Sequence, residues 1–234
     1  LLRQGVSMFE LLQEYGPRML NGLGITFQIV LTSVFAGAIL SMLILMLRMS
    51  GSSILKSVSL AYIYFFRGTP LLAQTFLVYY GAGQFRHELQ GLGLWWFFRE
   101  AYWCTVFTFT LNTAAYQAEI WRGAIQSVPG GQHEAIHALG MTRTSGFLKI
   151  ILPQASIVAL RPLGNELVLM MKSSAIASTI TVMEVMGTTA LAFSRSFDFQ
   201  VYLWAAIIYL AIVEIIRRLV LKISNRLTRH MVRA

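Results

Sequence analysis

The sequence predicts an all-α, polytopic membrane protein: a single domain of five transmembrane helices, with the N-terminus outside and the C-terminus cytoplasmic. Three observations lead there. Of 234 residues, 56% are hydrophobic and only 12% charged, against about 25% charged in soluble domains. Mean hydropathy is +0.62, so a water-soluble fold would lack the polar side chains to cover its surface. Five apolar runs each reach roughly 20 residues, the length that a hydrocarbon core of about 30 Å demands. Basic residues, finally, alternate in abundance between the segments that join these runs.

The runs follow in order. The first spans 22–47, without an ionisable side chain until Arg48; it is too long for a cleavable signal peptide, and none is expected. The second, 57–80, is interrupted by Arg67-Gly68-Thr69-Pro70. The third covers 101–120, the fourth 150–171 and the fifth 201–220. The stretch Ser173 to Ser194 is moderately apolar but rich in Ser, Thr and Gly, and reads as a surface or re-entrant element rather than a sixth span. Tyr79, Tyr80, Trp95, Trp96, Tyr102 and Trp103 gather at the ends of runs two and three, as an interfacial belt does.

The segments up to Asn21 and from Gln84 to Glu100 are neutral, whereas Arg48 and Lys56 make the first intervening segment +2. Between runs three and four, Arg122, Arg143 and Lys149 against Glu134 again give +2. Ser173–Gln200 carries −1, and the tail from Glu214 has six basic residues against that one acid, giving +5. Lys and Arg collect on the cytoplasmic side. Five crossings satisfy this alternation; six would put the basic tail outside.

The net charge of +9 is spread between apolar runs rather than collected on one polar face, which argues against nucleic acid and for anionic lipid as the partner of the tail. The lone Cys104 excludes an intramolecular disulfide. No G-x-x-x-x-G-K-[ST] pattern occurs, so the chain holds no phosphate loop; no cofactor is expected in it.

The segment between runs three and four contains two overlapping patterns. His133-Glu134-Ala135-Ile136-His137 fits H-E-x-x-H, with two histidines on one helical face and Glu134 as a general base of a zinc metalloprotease. A catalytic zinc needs a third protein ligand, and His87 and His230 lie far along the chain. The second pattern is longer: Glu134-Ala135, then Gly140, then after nine residues Ile150-Ile151-Leu152-Pro153. Pro129-Gly130-Gly131 breaks the chain, Gln132 to Leu139 can form a short helix, and Gly140 suits a left-handed cap. Pro153 falls in the first turn of the fourth run, where its missing N–H does no harm.

This second pattern resembles the EAA signature of ABC importer permeases, with Ile136 where that family usually has a second Ala. Arg67-Gly68-Thr69-Pro70-Leu71, Leu111-Asn112-Thr113-Ala114-Ala115-Tyr116 with Glu119-Ile120, and Gly164-Asn165-Glu166 extend the likeness to the polar and basic amino-acid branch, which includes histidine, arginine–ornithine and octopine/nopaline permease subunits. The resemblance implies a bacterial inner-membrane permease for a polar, basic amino acid or opine. It implies as partners a dimer of ATP-binding subunits that bind ATP and Mg, a second permease subunit, and a periplasmic solute-binding protein. Coupling to the ATPase would fall to the loop 129–149, through Glu134, Ala135, Gly140, Ile150, Leu152 and Pro153. A non-transporting membrane scaffold is the remaining alternative.

Ionisable groups within spans are costly and usually face a cavity or a partner. Arg67, Asn112 and Arg161 fall near mid-span, with Glu166 about 7 Å further outward at 1.5 Å per residue. Pro162 and Gly164 interrupt the fourth run between Arg161 and Glu166, freeing backbone groups of the kind that line transporter sites. An amino-acid substrate needs a cationic partner for its carboxylate and an acceptor for its ammonium. The expected substrate-binding set is therefore Glu166 for a cation, Asn112 and Asn165 as hydrogen-bonding neighbours, and Arg67 or Arg161 for the carboxylate. The structural alternatives are that Arg67 caps carbonyls freed at Gly68 and Pro70, and that Glu119 forms a salt bridge with Arg122.

Overall fold

The computed structural model describes residues 8–229. Among these the chain is helical throughout and contains no strand. Eleven α-helices succeed one another. Helix α1 (Met8–Met49) is followed by α2 (Ser53–Gly68), α3 (Leu71–Gln84), and the short α4 (Arg86–Gly91) and α5 (Trp95–Phe98). Helix α6 (Ala101–Gln126) leads into α7 (Gly130–Ala138) and α8 (Arg143–Gly146). A π-helical turn, Phe147–Ile151, runs into α9 (Leu152–Ser173) and a 3-10 segment, Ser174–Ile180. The chain finishes with α10 (Val185–Ser196) and α11 (Gln200–Leu227).

The stretches Gln13–Met49 and Arg143–Ile180 are long and apolar enough to cross a membrane. At 1.5 Å per residue, α6 and α11 reach about 39 and 42 Å, also more than the thickness of a hydrocarbon core. Along α1 the large apolar residues Leu31, Phe35, Ile39, Leu43 and Met46 are more than half exposed, spaced three or four apart so that they form one stripe. Such a stripe is unfavourable in water and at home against lipid.

The core lies where α1 meets α6, α9 and α11, around Ile29, Phe109, Met170, Met171 and Ile212. Small and hydroxylic residues bring α1 and α6 close together. Ser33 donates to the Val106 carbonyl at 3.2 Å and the Gln117 amide to the Val34 carbonyl at 3.1 Å. A Cβ at Gly37 would collide with the Thr113 methyl. Small-residue contacts and interhelical hydrogen bonds of this kind hold helices together where lipid offers no hydrophobic drive.

The structure differs from the sequence reading in three places. The segment before Asn21, read as a loop, belongs to α1 from Met8 onward, because Tyr15 and Met19 pack against Val185, Val201 and Trp204 of α10 and α11. The stretch after Ser173 is not a surface element: Ala177, Ile180, Val185 and Ala192 are fully buried. Its helix α10 has 12 residues, about 18 Å, which is too short to cross a hydrocarbon core. The fourth run is not interrupted between Arg161 and Glu166, since α9 continues from Leu152 to Ser173 with Pro162 inside it. Gly164 serves packing instead, as a Cβ there would collide with Val220 of α11. Pro153 falls in the first turn of α9, as its sequence position suggests, and the π-helical turn runs directly into it, with Leu152 N–H donating to the Phe147 carbonyl.

Candidate functional site

The break between α2 and α3 follows from Pro70. Its ring nitrogen has no hydrogen to give the Phe66 carbonyl four residues back. That carbonyl accepts instead from the Asn112 amide of α6 at 2.8 Å and from Gln74 at 3.0 Å, while Asn112 also donates to Gln74 Oε1 at 3.0 Å. Gln74 reaches the Thr69 hydroxyl at 2.7 Å as well. Asn112 and Gln74, rather than Arg67, therefore satisfy the opened backbone. The Arg67 guanidinium lies 5.0 Å from the ring centroid of Tyr116, a cation–π contact.

Glu166 is 6% exposed and accepts a 2.9 Å hydrogen bond from the Thr113 hydroxyl, to which Gln117 also donates. It borders a cavity of about 270 Å³ together with Val34, Gln117, Leu163, Leu167 and Val220, near the lower bound of small-molecule sites, about 300 Å³. Among the described residues no cationic side chain forms an ion pair with Glu166. Arg161, five residues before it, turns away and donates to Ser224 of α11 at 3.0 Å; Asn165 is exposed. The five expected site residues thus do not surround one cavity. Glu166 faces one, Arg67 another, Asn112 braces the helix break, and Arg161 and Asn165 point elsewhere.

The Arg67 cavity, about 430 Å³, is lined also by Arg48, Tyr64, Tyr116, Glu119 and Arg122. Arg122 clamps Glu119 with a 2.7 Å ion pair and a second contact at 2.9 Å. Glu119 is therefore engaged in a salt bridge, as its spacing from Arg122 predicts.

The loop after α6 forms a compact projection. Helix α7 ends in a Schellman motif: Met141 N–H donates to the Ile136 carbonyl and Gly140 N–H to the His137 carbonyl, both at 3.1 Å, with Gly140 at φ +65°. Ile136 alone of this helix is buried; it packs with Ile151 and Ala155 and so ties α7 to the base of α9. His133, Glu134, Ala135, His137 and Leu139 are exposed and available to a partner. Ile150 and Leu152 are half-buried at the root of the projection and Pro153 is exposed. Among the described residues no group of three metal-ligating side chains includes His133 and His137; His230 lies outside the described residues.

The sequence reading passed over one buried polar centre. Glu184, fully buried, caps α10 through Gly187 N–H at 2.8 Å and accepts from Tyr209 of α11 at 2.6 Å and Thr26 of α1 at 3.3 Å. An acid followed by an apolar run at a helix start was the available signal, hidden within a Ser/Thr-rich segment.

Comparison with known proteins agrees with this architecture. Residues 33–230 match the family described as binding-protein-dependent transport system inner membrane component. The nopaline transport system permease protein of Agrobacterium fabrum is 40% identical over 95% of this chain and 92% of its own. The arginine ABC transporter permease protein of Escherichia coli K12 is 37% identical, over 85% and 89% respectively. A chain from the crystal structure of an amino acid ABC transporter with histidines superposes with a TM-score of 0.83 at 32% identity, covering 95% of this chain and all of that one. The inward-facing MetNI methionine ABC transporter shares the fold, with a TM-score of 0.72 at 18% identity over 90% and 96% of the two chains. The chain belongs to the family of binding-protein-dependent transport system inner membrane components, the permease subunits of ABC importers.

Proposed function

We propose that this permease carries a polar, basic amino acid or opine inward by alternating access, and that Glu166 receives the substrate's cationic group. The observation that carries this is a buried carboxylate beside a cavity, with a hydroxyl but no cation for a partner among the described residues. An acid at such a position is costly unless a counter-charge arrives, and a basic substrate supplies one. Relatives named for nopaline and arginine transport support that substrate class.

In this reading α1, the broken pair α2–α3, α6, α9 and α11 are the five crossings, and the +2, +2 and +5 segments face the cytoplasm. Helix α7 then projects into the cytoplasm, where its exposed Glu134 and Ala135 dock on an ATP-binding subunit of a dimer that supplies ATP and Mg. Its rigid tie to α6 and α9 passes the closure of that dimer to the crossings. A second permease subunit completes the path, and a periplasmic solute-binding protein delivers the substrate.

The experiment is uptake by the complete transporter in proteoliposomes. Glu166→Gln abolishes uptake of a basic substrate while the variant still copurifies with its ATP-binding subunit. Unchanged uptake would remove Glu166 from the path.

A further inference from the structure

Two arginines in the second cavity lack full compensation. Arg48, Arg67 and Arg122 face a single acid, Glu119, and Arg122 already engages both of its oxygens. Arg48 Nε lies 3.5 Å from Glu119 Oε1 and, although buried, makes no hydrogen bond. Arg67 has no ion pair among the described residues and rests on the Tyr116 ring. A second hollow of about 420 Å³ adjoins the first, sharing Arg67, Tyr116 and Glu119, and runs along α6 to Pro162 of α9. The walls therefore carry two guanidiniums in excess, in a space large enough for an amino acid.

We infer that this cleft is a second, anion-selective subsite that takes the carboxylate of the substrate on the release side of the Glu166 cavity. The inference rests on the transport reading above. On α6, Gln117 lines the Glu166 cavity and Thr113 hydrogen-bonds Glu166, whereas Tyr116 and Glu119 line the arginine cleft, roughly a quarter turn around the same helix. The cleft extends from Arg48, in the last turn of α1, to Arg67 beside the α2–α3 break. In the proposed orientation it leads from mid-span toward the cytoplasm. Glu119 keeps Arg122 and Arg48 from repelling each other, so the site stays assembled when empty. An arriving carboxylate replaces water on Arg48 and Arg67, with the planar fork of Arg67 presented on the aromatic face. The reach from mid-span favours a solute over a headgroup phosphate, which would be confined to the interface.

The test uses the complete transporter in nanodiscs, with the solute-binding protein omitted and either zwitterionic lipid alone or added phosphatidylglycerol. Probes are L-arginine and octopine, which carry carboxylates, and agmatine, which is arginine without one. Arg48→Gln and Arg67→Gln each weaken the carboxylate-bearing probes by about tenfold or more, the loss expected of a charged hydrogen bond, and leave agmatine unchanged or tighter. Arg67→Lys recovers part of the loss, and copurification of the ATP-binding subunit verifies assembly. Glu166→Gln weakens all three probes alike. If Glu166→Gln acts but the arginine variants spare every probe, or weaken agmatine equally, the transport reading stands and the carboxylate subsite falls. An arginine effect seen only with phosphatidylglycerol assigns the cleft to lipid phosphate and overturns the inference. Failure of the unmodified transporter to bind any probe overturns both.

Discussion

Ile136 occupies the space in which residue 146 would carry a side chain. A Cβ built on Gly146 would stand 2.5 Å from Ile136 Cγ2. Ile136 is also the one departure from the EAA pattern, which usually has Ala there, so the larger side chain and the missing one fit together. Gly146→Ala is expected to cost about 1–3 kcal/mol through overpacking and to loosen α7 from α9. Ile136→Ala/Gly146→Ala in combination recovers most of that loss. Thermal unfolding in detergent, with copurification of the ATP-binding subunit, measures both.

Gly140 sits at φ +65°, where a β-carbon costs roughly 1–2 kcal/mol. Gly140→Ala should therefore weaken binding of the ATP-binding subunit by distorting the end of α7, and Gly140→Asn should do so less, since Asn tolerates this conformation. Glu134→Ala, on the exposed face, lowers association without changing thermal stability. Equal association for all three variants would separate α7 from coupling.

Asn112 and Gln74 replace the hydrogen bond that Pro70 denies the Phe66 carbonyl. Asn112→Leu leaves polar groups short of a partner in a buried setting and is expected to cost about 1–3 kcal/mol. Adding Pro70→Ala restores an N–H to the ladder and recovers stability. The double variant should nonetheless transport poorly if the break itself shapes the path. A double variant as unstable as Asn112→Leu alone would show that Asn112 acts elsewhere.

Tyr209 donates to Glu184 at 2.6 Å and joins α11 to the start of α10. Tyr209→Phe should lower stability by about 1 kcal/mol. Glu184→Ala should cost more, since it also removes the cap of α10 at Gly187 N–H. Hydrogen exchange of the α10 amides would localise both effects; protection unchanged in Glu184→Ala would argue against the tie.

What could be read along the chain was what local rules govern. Apolar length drew the long helices, Pro70 announced the break between α2 and α3, and Pro129 and Gly140 bracketed α7. The Glu119–Arg122 pair, three residues apart, was legible for the same reason. The first run misled at its start: Tyr15 and Met19 extend α1 only because α10 and α11 offer them a surface. Pro153 was legible as a residue of the first turn of α9, whereas the π-helical turn before it was not.

The site residues divide similarly. That Glu166 and Arg67 are charges within apolar runs is a property of sequence; that they face different cavities on two sides of α6 is not. Arg161 meets Ser224 across 63 positions, and Glu184 meets Thr26 across 158, pairings that leave no mark in the neighbouring residues. By itself the sequence determined the lipid solvent, the helical class, the family motifs and the turns, because hydrophobic length, proline and glycine act within a few residues of themselves. Tertiary structure alone decided which polar group satisfies which, since a buried hydrogen bond depends on the approach of two helices and that approach is set by packing across the whole bundle.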